Sequence, residues 1–206
     1  MIAIVDYGVG NLFSVEKALR ATGADAVVTA DEKVLQKAER IVLPGVGAFG
    51  DCMKRLEATG LIPVILREIR EGKPLLGICV GLQILFEGSD ESPDVAGLSV
   101  FPGRVRRIEA PQLKIPHMGW NSLEFNEASD KSEKSALFRD IQEGAYVYFV
   151  HSYHAVPEDA RIITAQATYG ERITAAVSQG NVQAVQFHPE KSGAVGSAIL
   201  KNFVNA

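Results

Sequence analysis

The chain reads as an α/β fold: a central, mostly parallel sheet with flanking helices, and an added antiparallel region in the C-terminal half. Three observations predict this. Over the first 90 residues short apolar runs alternate with segments of helical periodicity, the pattern of parallel βα units. One of these runs, Leu75-Leu76-Gly77-Ile78, leads straight into Cys79, and a helical pattern begins at once after it. From Gly97 onward strand follows strand across short turns, which is antiparallel patterning.

The elements follow in order. Residues 2–7 are a short apolar run, and residues 12–21 place apolar side chains at helical spacing. Residues 26–29 are rich in β-branched side chains. Asp31 then offers an N-cap for a helix through residue 38. Residues 40–43 make a third strand, residues 61–71 a helix ended by Gly72, and residues 75–78 a fourth strand. Asp6, Gly45 and Cys79 each fall at the end of a strand, so three segments converge on the edge where open α/β sheets bind ligands. Further on, residues 99–108, 115–125, 146–155, 161–167, 174–178 and 182–187 read as strands. Tyr169-Gly170-Glu171 and Gln179-Gly180-Asn181 read as their turns. Ser192 is placed to cap a last helix with a stripe of Val195, Ile199, Leu200 and Phe203. Residues 127–135, the most polar stretch, read as a surface loop.

At 206 residues the chain predicts a single domain over 1–206, large enough for a sheet covered on both faces. A net charge of −4 and a pI near 5.6 argue against a nucleic-acid partner, which would want a clustered basic face. The compact basic group Arg104, Arg106 and Arg107 alternates along a strand and reads as a solvated face. The two cysteines, Cys52 and Cys79, show neither C-x-x-C spacing nor histidine partners at metal-ligand spacing, so no metal and no cofactor are expected. The five apolar residues before Asp6 suit a first strand and not a signal peptide. No apolar run approaches membrane-spanning length, so a cytoplasmic protein without membrane association is expected.

Cys79 sits between Gly77 and Gly81 where strand gives way to helix. A turn that sharp leaves no room for side chains at the second neighbours, and it presents its central residue at the sheet edge as a nucleophile. A helix N-terminus and a nearby imidazole would both favour the thiolate. His188-Pro189-Glu190 supplies the imidazole as general base and acid, and a carboxylate to orient it. Cysteine, histidine and an orienting acid are the parts of nucleophilic acyl transfer. Cys52 lies in a helical pattern without such a context and reads as a buried core residue.

The elbow and H-P-E resemble the class I (triad) glutamine amidotransferases, whose fold is flavodoxin-like. Four further segments narrow the resemblance to the glutaminase subunits of imidazole glycerol phosphate synthase. They are Asp6-Tyr7-Gly8-Val9-Gly10-Asn11, Pro44-Gly45-Val46-Gly47-Ala48-Phe49-Gly50, Pro116-His117-Met118-Gly119-Trp120-Asn121 and Phe149-Val150-His151-Ser152-Tyr153. The extension of H-P-E to Lys191-Ser192 fits as well. The resemblance implies Cys79, His188 and Glu190 as a catalytic triad, and the N–H groups of Val80 and Gly47 as the oxyanion hole. It places Val46, Gln83, Glu91, His151, Ser152 and Tyr153 at a glutamine pocket, with Glu91 facing the α-ammonium group and residues 151–153 holding the α-carboxylate. It also makes Asn11, Met118, Trp120, Tyr148 and Lys191 partner-facing. The implied partner is a (βα)₈-barrel cyclase subunit in a heterodimer. That subunit would use the released ammonia to make imidazole glycerol phosphate in histidine biosynthesis. Val80 and Leu82 depart from the leucine and methionine common beside this elbow, an apolar exchange that leaves the chemistry alone.

Two other readings stay open at this stage. A glutaminase serving anthranilate, aminodeoxychorismate or pyridoxal phosphate synthesis would share the elbow and H-P-E. A non-catalytic flavodoxin-like binding module would need Cys79, His188 and Glu190 to coincide by accident.

Overall fold

A computed structural model describes residues 1–126 and 136–206; the expected loop at 127–135 lies outside the described residues. The first half builds the predicted βα units. Strands β1 (Ile2–Val5), β2 (Ala26–Thr29), β3 (Arg40–Gly45) and β4 (Leu75–Cys79) are joined by helices α1 (Leu12–Ala21), α2 (Glu32–Lys37), α3 (Phe49–Ala58) and α4 (Ile62–Arg70). Asp31 caps α2, its carboxylate accepting from the Lys33 N–H at 2.8 Å. β1 and β4 are buried throughout, as strands covered on both faces must be.

The elbow is followed by less helix than expected. α5 (Val80–Gln83) is a single turn, and the chain re-enters strands at once with β5 (Phe86–Ser89) and β6 (Ser92–Ala96). The short pieces of this stretch give neither period room to develop, so these two strands were not legible in the sequence.

The second half supplies β7 (Phe101–Arg107), β8 (His117–Ser122), β9 (Glu124–Phe125), β10 (Tyr146–His151), β11 (Tyr153–Pro157), β12 (Ile163–Tyr169), β13 (Glu171–Gln179) and β14 (Val182–Val185), then helix α6 (Gly193–Asn205). The main sheet runs β2-β1-β3-β4-β14-β13-β12-β9. Its first five strands are parallel; β13, β12 and β9 extend it antiparallel. Two smaller sheets lie apart, β10-β8 and β11-β7-β5-β6. The single run expected at residues 146–155 is therefore two strands in two sheets, switching at Ser152. Apolar alternation fixes which face a strand buries and says nothing about which neighbour it pairs with. The run expected at 115–125 likewise breaks at Leu123 into β8 and β9. Both predicted turns are hairpins, with Gly170 at φ +75° and Gly180 at φ +58°.

Ser192 does precede α6, but its hydroxyl makes no cap bond. It donates instead to the His188 carbonyl at 2.7 Å and accepts the Tyr148 N–H at 3.0 Å. The last helix is thereby tied to the H-P-E segment and to β10. Arg104, Arg106 and Arg107 are exposed on β7, as expected of a solvated face. Among the described residues no helix is long and apolar enough to cross a membrane.

Candidate active site

Parallel pairing of β3 with β4 sets Gly45 directly opposite Cys79. The strand ends thus bring the Pro44–Gly47 segment and the elbow side by side. Cys79 has φ +56°, unusual for a residue with a side chain, and is 4% exposed. The flanking glycines are required by contact: a β-carbon on Gly77 would lie 2.9 Å from the Gly81 carbonyl oxygen.

The parallel register of β4 with β14 carries the chain beyond Val185 past the elbow and delivers His188 to it. His188 Nδ1 lies 2.8 Å from Glu190 Oε1, and both side chains are almost fully buried. Pro189 opens the one-turn 3₁₀ helix Pro189–Lys191 that holds this spacing. The other ring nitrogen, Nε2, is buried without a hydrogen-bond partner among the described residues. Burial by itself lowers the His188 pKa, but interaction with Cys79 and Glu190 outweighs it and pushes the value up to about 9. The imidazole is therefore held protonated at neutral pH, between a carboxylate and a sulfur.

A cleft of about 590 Å³ opens at this point. It is lined by Asn11, Val46, Gly47, Cys79, Val80, Gln83, Glu91, His151, Ser152, Tyr153, His188 and Lys191, together with Gly10, Pro116 and Val150. Residues from seven separate segments of the sequence meet here. Glu190 stands behind His188 and does not line the cleft.

Gly47 has φ +93° with open space about it, and Val46 is 38% exposed. The segment they belong to is pinned from below. The Tyr7 hydroxyl donates to the Pro44 carbonyl at 2.5 Å, and the Cys52 thiol donates to the Val46 carbonyl at 3.3 Å. Burial pushes the Cys52 thiol up to about 11, so it remains a protonated donor. Cys52 is a core residue, as its helical pattern suggested, and one with a hydrogen bond to the strand beside the elbow. Val80, just after Cys79, begins α5, where the first N–H groups have no intrahelical acceptor.

Gln83 is 3% exposed, and its amide nitrogen donates to the Tyr153 carbonyl and to Gln186 Oε1, each at 3.0 Å. Glu91 Oε2 accepts the Phe49 N–H at the start of α3 at 2.8 Å, which fixes this carboxylate at the cleft wall. The His151 side chain turns inward: Nδ1 lies 2.8 Å from the Tyr153 carbonyl and Nε2 lies 3.0 Å from His117 Nδ1. His117 stacks between Phe149 and Tyr169, and its Nε2 meets the Asn121 amide at 3.3 Å. Burial drives both histidines toward the neutral form, to about 4 for His117 and about 3 for His151.

Trp120 and Met118 lie outside the cleft, 56% and 63% exposed on β8. Trp120 pairs across the ladder with Tyr148 at a ring distance of 6.1 Å, and the Lys191 ammonium sits 5.9 Å from the Tyr148 ring. An exposed aromatic and cationic surface therefore runs continuously into the cleft at Lys191. Sequence reasoning missed Gln186, whose amide nitrogen is 3.8 Å from Cys79 Sγ. The available signal was a polar residue in the buried every-second-residue phase of Val182 and Ala184, two positions before His188.

The family model for class-I glutamine amidotransferases matches residues 3–206. A protein of Geobacter sulfurreducens named imidazole glycerol phosphate synthase subunit HisH is 52% identical over 208 residues, covering 98% of this chain and 97% of that one. A Methanothermobacter thermautotrophicus protein of the same name is 52% identical over 204 residues, covering 99% and 98%. Among solved structures, a glutamine amidotransferase superposes with a TM-score of 0.76 at 19% identity, covering 100% of this chain and 98% of that one. PurLQS of Thermotoga maritima gives 0.74 at 21%, covering 99% and 97%. At those identities the two structures speak for the fold alone, whereas the family match and the full-length relatives settle descent. The chain belongs to the class-I glutamine amidotransferase family.

Proposed function

We propose that this chain is the glutaminase subunit of an imidazole glycerol phosphate synthase, a single amidotransferase unit over residues 1–206 working in the cytoplasm. The observation that carries the chemistry is the 2.8 Å His188–Glu190 pair set against Cys79 at the floor of the cleft. The Cys79 thiolate attacks the side-chain carbonyl carbon of glutamine. The resulting oxyanion is met by the N–H groups of Val80 and Gly47. His188 gives its proton to the departing nitrogen, which leaves as ammonia, and a γ-glutamyl thioester remains. His188 then takes a proton from water as it attacks the thioester, releasing glutamate and restoring the thiolate. Gln83, Glu91, Val46 and residues 151–153 hold the substrate.

Ammonia is mostly protonated and non-nucleophilic at neutral pH, so bulk release would waste it. The partner is a (βα)₈-barrel cyclase subunit that forms a heterodimer with this chain. Asn11, Met118, Trp120, Tyr148 and Lys191 face it, and it combines ammonia with its acceptor to give imidazole glycerol phosphate and aminoimidazole carboxamide ribotide. Identity near 50% to two proteins named for that synthase, over almost all of each chain, supports this over the anthranilate, aminodeoxychorismate or pyridoxal phosphate alternatives.

The test is glutamate formation by the free chain, by its complex with the cyclase, and by that complex with acceptor or product bound. Turnover should rise by orders of magnitude along this series: the resemblance implies that the peptide around Val46 can turn away in the resting chain, and the partner would bias it toward the form that points its N–H at the oxyanion. Equal turnover in all three would leave an ordinary glutaminase, and stable copurification with a different synthase would move the chain to another pathway.

A further inference from the structure

We infer that the Gln186 side-chain amide is a positioning group for the nucleophile, donating a hydrogen bond to Cys79 Sγ. This rests on the reading of Cys79 as nucleophile. Val185 pairs in parallel with Ile78, so the next residues along each strand, Gln186 and Cys79, lie beside one another just past the end of the ladder. Gln186 is fully buried, and its backbone N–H is used by the Ala175 carbonyl at 2.8 Å. A buried amide is costly unless both ends of the side chain are satisfied.

The direction of that amide follows from its neighbours. The Tyr153 carbonyl can only accept, so the Gln83 group facing it at 3.0 Å is the NH₂. The second N–H of Gln83 then needs an acceptor, and Gln186 Oε1 provides it at 3.0 Å. That leaves the Gln186 NH₂ toward Cys79 Sγ, 3.8 Å away. An amide N–H cannot accept the proton of a thiol, and a thiolate accepts more strongly than a thiol sulfur, so this contact favours the thiolate. His188 and Gln186 both act on the sulfur, the first by charge and proton transfer, the second by a fixed dipole. Gln83 belongs to both devices: its nitrogen locks Gln186, and the residue itself lines the cleft.

The test uses the full chain and two variants, Gln186→Glu and Gln186→Met. Alkylation of Cys79 by iodoacetamide is followed at the level of its own peptide, so that Cys52 does not contribute. Glu keeps the shape and still accepts from Gln83, but it removes the donor and brings negative charge to the sulfur. Met keeps the length and loses both bonds. The expected rates fall about tenfold for Met and further for Glu, the loss of one hydrogen bond to a charged group and then added repulsion. Glutaminase kcat should fall with them, while KM for glutamine stays within about threefold.

A merely structural Gln186 gives the opposite order, with Glu close to the parent and Met the worse. That order, or parental alkylation in the Glu variant, would overturn the inference. If the buried charge keeps the Glu variant from folding, the Met variant carries the test, and parental alkylation there would overturn the inference. Alkylation needs no glutamine, so a parent protein that alkylates rapidly but does not hydrolyse glutamine even in complex with the cyclase and its acceptor would sink the proposed function and leave this inference standing.

Discussion

Gly81 passes so close to Leu43 that a β-carbon on it would lie 1.9 Å from the Leu43 carbonyl oxygen. The contact is backbone against backbone, between α5 and β3, and neither partner can swing aside. Gly81→Ala should therefore cost about 3 kcal/mol or more, the upper range for overpacking. Gly47→Ala meets no atoms and suffers only its positive φ, a strain of about 1–2 kcal/mol. Denaturant unfolding of the two variants checks this. Equal losses would mean that the elbow relaxes around the extra methyl.

Cys79→Ala should abolish glutamine-dependent synthesis by the complex while leaving synthesis from added ammonium salts. His188→Asn should cost glutamine hydrolysis about a thousandfold, since base and nucleophile act as one unit. Glu190→Gln keeps an oxygen for the imidazole N–H but not the charge, and should cost about tenfold. Steady-state assays with glutamine and with ammonia separate these effects. If Cys79→Ala lost both activities alike, the residue would be structural. A fully active Glu190→Gln would show that another group orients His188.

Folding stability should fall off on both sides of neutrality. His117 and His151 titrate in the fold at about 4 and about 3. Unfolded, they take up protons near 6.5. Between those values the unfolded chain binds more protons, so stability drops as pH falls from about 6.5 toward 4, by an amount on the order of a few kcal/mol. His188 runs the other way: its raised pKa of about 9 gives stability that is full below about 6.5 and lost as pH rises through 9. Thermal unfolding across pH checks both limbs. His188→Asn should flatten the alkaline limb alone, and an acid limb that stays level down to about pH 4 would contradict the neutral histidine pair.

Trp120→Ala should weaken association with the cyclase by about 2 kcal/mol or more, the loss expected when an exposed aromatic anchors an interface. Trp120 touches Tyr148 and not the cleft, so iodoacetamide should alkylate Cys79 at the parental rate. Calorimetry and the alkylation rate together test this. Unchanged affinity would place the partner on another face.

The sequence by itself determined the chemistry and most of the strand-and-helix order. G-x-C-x-G can be satisfied only by a turn too tight for side chains, and alternating apolar runs can bury themselves only as βα units, so Cys79, Gly45 and Asp6 had to converge on one edge. H-P-E carries its own geometry because Pro189 stiffens a two-residue spacing. Tertiary structure decided what depends on pairing partners. Nothing in residues 146–155 says that the chain changes sheets at Ser152, because alternation encodes faces and not neighbours. Nor does the sequence say that Gln186 comes to rest beside Cys79. The register of β14 on β4 decides that, a contact 107 residues apart along the chain. The inward turn of His151 is of the same kind: its ring nitrogens are satisfied by Tyr153 and His117, and only the folded arrangement of β8, β10 and β11 supplies both partners.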